Sequence, residues 1–346
     1  MLTGKYFLMQ KIAFTLCSNN YLAQAKTLGD SLIKHNPEYH FIIGLVDKRH
    51  SEIDYGFFSP HEIIEVEQIG IEDNERLILK YNIVEYNTAV KPFYFQFLFE
   101  KFETETVTYF DPDINIYSKL DELEEIYKTH DFVLTPHLLK AEPFKIPEKE
   151  QLVLNVGAYN LGFLGLRRST ETDLFLKFFQ HRMRDKCYVD FCNGLFVDQI
   201  WANLIPCYFD KYYIWKDPGC NVGYWNFSER RLGKDKDTFI VNTEFVLKFF
   251  HISNYDPLTP EKLCKWLSYS FEARPDLKGL YDAYGKELLN NKYAFFSELQ
   301  PLLAFPRNHP FLDKKPEKIL NTSRNRWGLR FRNLSNKIIN EVFDLR

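Results

Sequence analysis

The sequence predicts an α/β fold: a mainly parallel central sheet flanked by helices, with a helical C-terminal extension. Three observations carry this. Short apolar runs recur with the length of buried strands. Segments with helical spacing separate them over the first 70 residues. One such run also ends directly in two aspartates, as strands do when their carboxyl ends carry a ligand site.

In chain order, residues 11–16 (KIAFTL) read as a buried strand. Cys17-Ser18-Asn19-Asn20 follows and offers N-cap side chains. Leu22, Ala25, Leu28 and Leu32 then keep helical spacing up to a stop at Asn36-Pro37. Residues 39–46 (YHFIIGLV) form a second strand, with Asp47 just past its end, and Ile63, Ile64 and Val66 suggest a third. Helical stretches at 83–91 and 93–102 meet at Pro92. Residues 106–110 (TVTYF) form the strand that runs into Asp111-Pro112-Asp113.

Further on, 119–128 reads as a polar helix and 134–151, which bears prolines, as a loop over the site. Residues 156–166 (VGAYNLGFLGL) read as two strand pieces broken by glycines. Helices are expected at 170–184 and 197–204, and a late strand carrying His251 at 245–252. From about residue 260 the chain becomes helical and more polar, so a boundary is placed at 258, giving units 1–258 and 259–346.

The bulk numbers fit a large globular chain. It has 346 residues, 45% of them hydrophobic and 26% charged. With 32 Phe, 21 Tyr and 5 Trp it is rich in aromatics, most of them core, though such rings also form walls for nucleobases and sugars. A formal net charge of −3 implies no general nucleic-acid-binding surface. The six cysteines include no CxxC pair and read as reduced, buried thiols. The N-terminus lacks the apolar run of a signal peptide and no stretch has the length of a membrane span, so a cytoplasmic protein is expected.

The chemistry centres on YFDPDINIY, residues 109–117. Pro112 lacks the donor needed to continue a ladder, so the strand must end there. Two carboxylates so close together suit a hard divalent cation, Mn²⁺ or Mg²⁺; the alternative is a turn with two solvated aspartates.

In ordered pieces the chain resembles nucleotide-sugar glycosyltransferases of the GT-A fold, in particular the retaining enzymes related to glycogenin and bacterial lipopolysaccharide galactosyltransferases. The pieces are IAFTLCSNNYL at 12–22, AVKPFYFQFLF at 89–99, YFDPDI at 109–114, YNLGFLGL at 159–166, VDQIWAN at 197–203, NVGYWN at 221–226 and FFHISNYDP at 249–257. The resemblance spans roughly 11–257. It implies that 1–258 is the nucleotide-sugar-binding catalytic domain, with a UDP-sugar donor, Mn²⁺, and a glycan or lipid-linked acceptor. Bacterial surface-polysaccharide synthesis is the implied setting.

Residue by residue, the resemblance implies that Thr15, Cys17 and Asn20 line the nucleoside pocket. Lys91 reaches the donor phosphates or sugar, the alternative being a surface helix lysine. Asp111, Asp113 and His251 hold the metal, although a lone histidine on an apolar strand also reads as a core residue. Asn160 contacts the donor sugar, with Gly162 permitting close approach. Asp198 and Gln199 lie under the sugar's reacting face or on the acceptor hydroxyl, Asp198 reading otherwise as an N-cap. Ser253 joins the donor-binding set. One departure stands out: where the family carries a glycine and a lysine after this histidine, Asn254-Tyr255-Asp256-Pro257 follows, leaving the phosphate contact to Lys91 or a C-terminal arginine.

The segment 323–339 (SRNRWGLRFRNLSNKII) is basic, with Trp327, Phe331, Leu334 and Ile338 at helical spacing. It reads as a terminal helix with a solvated basic face, or as a peripheral contact to an anionic membrane. Two other functions compete with glycosyl transfer. A sugar nucleotidyltransferase would carry a glycine-rich basic loop after the first strand, which Cys17-Ser18-Asn19-Asn20 lacks. An inactive nucleotide-sugar-binding domain would not need Asp111, Asp113 and His251 together.

Overall fold

The computed structural model describes residues 11–141, 147–264, 270–303 and 305. The basic segment at 323–339 lies outside them, as does part of the proline-bearing stretch expected as a loop.

A seven-stranded sheet organises the chain. β1 (Lys11–Cys17), β2 (Tyr39–Leu45) and β3 (Glu62–Glu65) pair in parallel, and β4 (Thr106–Phe110) pairs parallel with the other side of β1. Just beyond β4, β5 (Ile114–Ile116) leaves this sheet to pair with Phe249–His251. β6 (Phe132–Pro136) and β7 (Tyr159–Arg167) follow, and β7 runs antiparallel to both β4 and β6. Tyr212–Ile214 runs parallel to β6 and closes that edge. The order across the sheet is Tyr212–Ile214, β6, β7, β4, β1, β2, β3. A mainly parallel α/β sheet is therefore present as expected.

β1 is apolar on both faces because both faces are covered. On one side, α1 (Leu22–His35) packs with Phe41, Ile43 and the later helix Pro275–Asn290 in one cluster. On the other, Phe14 and Tyr109 pack against α4 (below) and Phe175 in a second cluster. The helices beyond residue 258 thus share a core with the sheet.

Helix placement follows local chemistry. After α2 (Asn74–Lys80) comes α3 (Ile83–Ala89), which starts at Asn82, whose side chain accepts from Glu85 N while Glu85 reaches back to Asn82 N. α4 (Lys91–Phe102) follows directly, so the joint falls at Val90 and not at Pro92. Pro92 sits in the first turn, where its missing N–H has no partner to lose.

α5 (Asp121–Tyr127) occupies the expected polar helix. The stretch expected as a loop instead holds β6 at its start and α6 (Pro147–Val156) at its end. β7 is one unbroken strand. Its glycines admit close neighbours: a Cβ at Gly165 would lie 2.3 Å from the Tyr127 hydroxyl oxygen. α7 (Thr170–Lys186) matches the expected helix and is capped by Ser169. The helix expected at 197–204 is split into Gln199–Ala202 and Ile205–Tyr208, and the late strand into Phe245–Val246 and Phe249–His251. All six cysteines are free; Cys192 and Cys207 are exposed, correcting the expectation that all are buried.

Candidate active site: a cleft at the strand switch point with an acidic–histidine trio

In this strand order the chain leaves β1 toward β2 on one side, while β4 lies on the other. A crevice therefore opens between the carboxyl ends of β1 and β4, the usual ligand position in open α/β sheets. A cleft of about 310 Å³ lies there, lined by Cys17 at the end of β1, by Asn20 and Tyr21 just beyond it, by Ile83 and Val84 of α3, and by Asp111 and Asp113 after β4.

Asp111-Pro112-Asp113 is the turn between β4 and β5. Asp111 N donates to Gly162 O at 2.7 Å, and Ile114 N to Asp111 O at 3.0 Å. β5 then pairs antiparallel with Phe249–His251, with Ile114 opposite His251. This pairing delivers the histidine to the turn, and Ile252 N fixes it by donating to Asp113 O at 2.8 Å. His251 Nε2 lies 2.9 Å from Asp113 Oδ1 and 3.7 Å from Asp111 Oδ2. One ligand atom from each of the three lies within 4.8 Å of the others.

Burial acts to lower the His251 pKa, but the Asp113 carboxylate, with Asp111 behind it, raises it above the ordinary histidine value. Its Nδ1 is buried without a hydrogen-bond partner, and the Trp225 ring stands edge-on to the imidazole at 5.0 Å. Tyr109 donates to Asp111 Oδ1 at 2.6 Å, which orients that carboxylate.

Behind the trio is a layer of buried polar side chains that hold one another. Lys91 is 3% exposed; its Nζ donates to Asp198 Oδ2 at 2.5 Å and to Leu161 O at 3.0 Å, and lies 4.1 Å from the Tyr109 ring centroid. It is neither a surface lysine nor on the cleft wall. Asp198 makes no side-chain cap to its helix. Burial raises its pKa, and Lys91 pulls back in the other direction. Gln199 ties β7 to its own segment: its Oε1 accepts from Leu161 N at 3.0 Å and its Nε2 donates to Val156 O at 3.2 Å.

The Asn160 Oδ1 accepts from Gly162 N at 3.0 Å and from Asn221 Nδ2 at 3.1 Å, while its Nδ2 donates to His137 Nε2 at 3.2 Å. Burial pushes His137 down to about 4, so the ring is neutral at pH 7 and free to accept that bond.

The structure thus gathers Asp111, Asp113, His251, Cys17 and Asn20 at the cleft, with Lys91, Asp198, Asn160 and Gln199 in the layer beneath. Thr15 is fully buried within β1, not on the cleft wall where it was expected. Ser253 follows the His251 strand, half-buried. The space at Gly162, expected to admit the donor sugar, is filled by the His251 ring. Sequence reasoning missed Asn19 and Asp47: Asn19 Nδ2 donates to Asp47 Oδ2 at 2.8 Å, bracing the loop after β1 against the end of β2. Asp47 just past a strand end was the available signal. It missed His137, which carried none, and gave no role to Trp225, although the NVGYWN piece at 221–226 contains it.

No family model matches the chain. It is 24% identical over 172 residues to the uncharacterized protein YfnF of Bacillus subtilis (strain 168), a match covering 49% of this chain and 57% of that protein. The solved structures it resembles include three glycosyltransferases. The first is glycosyltransferase GlyE of Streptococcus pneumoniae TIGR4, at 13% identity over 84% of this chain and 66% of that one, TM-score 0.46. The second is galactosyltransferase LgtC with donor and acceptor sugar analogues, at 14% identity over 80% and 95%, TM-score 0.44. The third is the bifunctional glycosyltransferase WbbM, at 12% identity over 84% and 52%, TM-score 0.46. Among the described residues no helix is long and apolar enough to cross a membrane.

Proposed function

We propose that the chain is a GT-A glycosyltransferase that moves a sugar from a UDP-sugar to a hydroxyl of a glycan or lipid-linked acceptor, with retention, in surface-polysaccharide synthesis. The observation that carries this is the convergence of Asp111, Asp113 and His251 on one point beside a cleft at the strand switch point. Two carboxylates and an imidazole whose Nε2 faces them are a donor set that fits Mn²⁺ or Mg²⁺ when the ring is neutral. A divalent cation held there supplies positive charge where the diphosphate of the donor gains negative charge.

The remaining roles belong to the chain's own side chains. Cys17 and Asn20 face the nucleoside, with the apolar Ile83 and Val84 beside the base. Tyr109 orients Asp111. The Lys91–Asp198 pair, Asn160 and Gln199 form a pre-organised floor beneath the sugar's reacting face. In the reaction the bond from the anomeric carbon to the phosphate oxygen breaks and a bond to the acceptor oxygen forms. The acceptor's proton leaves with the nucleoside diphosphate.

Thermal shift with Mn²⁺ and each of UDP, GDP, CDP and ADP at equal concentration tests the reading. A ligand at 100 times its Kd stabilises by about 2.7 kcal/mol, enough to resolve. UDP is expected to raise the midpoint most. A larger shift with GDP assigns a different donor class, and no shift with any nucleotide removes the nucleotide-sugar reading.

A further inference from the structure

Asp111 has two carboxylate oxygens, and the fold commits one of them elsewhere. Oδ1 accepts from the Tyr109 hydroxyl at 2.6 Å. Oδ2 is the oxygen on the His251 side, 3.7 Å from its Nε2. The two oxygens of this carboxylate therefore do different work.

The tyrosine that holds Oδ1 is itself held. It is 3% exposed. Phe14 lies directly opposite it in the β1–β4 register, with the two rings 5.0 Å apart at 60°. Lys91 Nζ sits over the phenol ring at 4.1 Å from its centroid, and is fixed in turn by Asp198 and by Leu161 O. A ring packed in this way does not swing with the group it binds. Were Asp111 to rotate and offer both oxygens to a cation, the phenol would lose a short hydrogen bond to a charged acceptor. Its O–H would then be left without that partner in the core.

The constraint separates one class of cation from another. Ca²⁺ gathers about six to eight oxygens and takes carboxylates through both oxygens at once, whereas the smaller Mg²⁺ and Mn²⁺ prefer octahedral sites. We infer that Tyr109 sets the metal preference of this site: by keeping Asp111 to a single ligating oxygen, it favours Mn²⁺ and Mg²⁺ over Ca²⁺. The inference rests on the metal-site reading above. Tyr109 is a positioning residue, acting on the ion only through Asp111, and the buried Lys91–Asp198 pair supports it from beneath.

The test measures Mn²⁺ binding to the full chain in the presence of UDP, from the paramagnetic resonance signal of the free ion, against a blank of UDP without protein. Ca²⁺ is then titrated as a competitor, and thermal melting reads the fold. The natural protein is expected to hold Mn²⁺ more tightly than Ca²⁺. In Tyr109→Phe, which removes only the hydroxyl, that preference should narrow by about tenfold, because Asp111 becomes free to bind through both oxygens. Phe175→Leu controls for lost stability: it truncates a core ring packed on Phe132, Phe179 and Phe209, and should lower the melting midpoint while leaving the preference unchanged. An unchanged preference in Tyr109→Phe, or Ca²⁺ held as tightly as Mn²⁺ by the natural protein, overturns the inference and leaves the metal site standing. No Mn²⁺ bound by the natural protein removes the metal site and the inference together. A second measurement needs no variant: in crystals of the natural protein grown with Mn²⁺, Asp111 should reach the ion through Oδ2 alone, with Oδ1 still accepting from Tyr109. An Asp111 bound through both oxygens would overturn the inference.

Discussion

The imidazole of His251 rests on the bare α-carbon of Gly162: a Cβ there would lie 2.4 Å from Cε1 and 2.7 Å from Nδ1. Real side chains do not approach so closely, so the glycine of β7 and the histidine brought in opposite β5 are a matched pair. Gly162→Ala is therefore expected to push the imidazole away from Asp113. Calorimetry should show Mn²⁺-dependent UDP affinity falling by at least about tenfold, roughly 1.4 kcal/mol, with circular dichroism unchanged. Unaltered affinity would mean that His251 is not a ligand.

The Lys91–Asp198 pair gives a stability prediction. Both groups are almost fully buried, so removing one leaves the other charged or forces it to neutralise. Lys91→Met and Asp198→Leu should each cost about 3–5 kcal/mol in chemical denaturation. The double variant should recover much of that, because no unpaired charge remains. Additive losses would show that the pair is not coupled as its geometry requires.

His251 fixes the pH dependence. Asp113 and Asp111 hold its folded pKa above the ordinary 6.5. A protonated ring cannot ligate, so metal affinity is full above the raised pKa and is lost as pH falls through it, the loss beginning above 6.5. Stability of the metal-free protein runs the other way. The imidazolium–carboxylate contribution is fully present below the unfolded value and is lost as pH rises through the folded one. Mn²⁺-dependent UDP affinity and metal-free melting, each followed from pH 5 to 8 against His251→Gln, should show these opposite trends; a pH-independent affinity contradicts the assignment.

Much of this was legible in the sequence, and the exceptions have physical causes. The strand before Asp111 was readable because an apolar run ended at a proline that cannot continue a ladder. The placement of His251 beside Asp113 was readable only through its neighbours, since it depends on β5 crossing to Phe249–His251, a pairing that spans more than a hundred residues. Glycines suggested breaks in β7, but they serve the rings of His251 and Tyr127 packed on it. Lys91 offered no sign of burial: its partner Asp198 lies 107 positions away, and periodicity does not encode such a pairing. Asn160 and Gln199 were singled out as ligand contacts, but their amides are hydrogen-bonded inside the layer that supports the site.

The most direct test is manganese anomalous diffraction from crystals grown with Mn²⁺ and UDP, in the natural protein and in Asp113→Ala. The natural protein is expected to show one strong peak bound by Asp111, Asp113 and His251, with the imidazole nitrogen about 2–2.3 Å from the ion, and the variant none. A peak elsewhere, or density showing His251 turned away from the Asp111–Asp113 turn, would contradict the metal site on which the functional account stands.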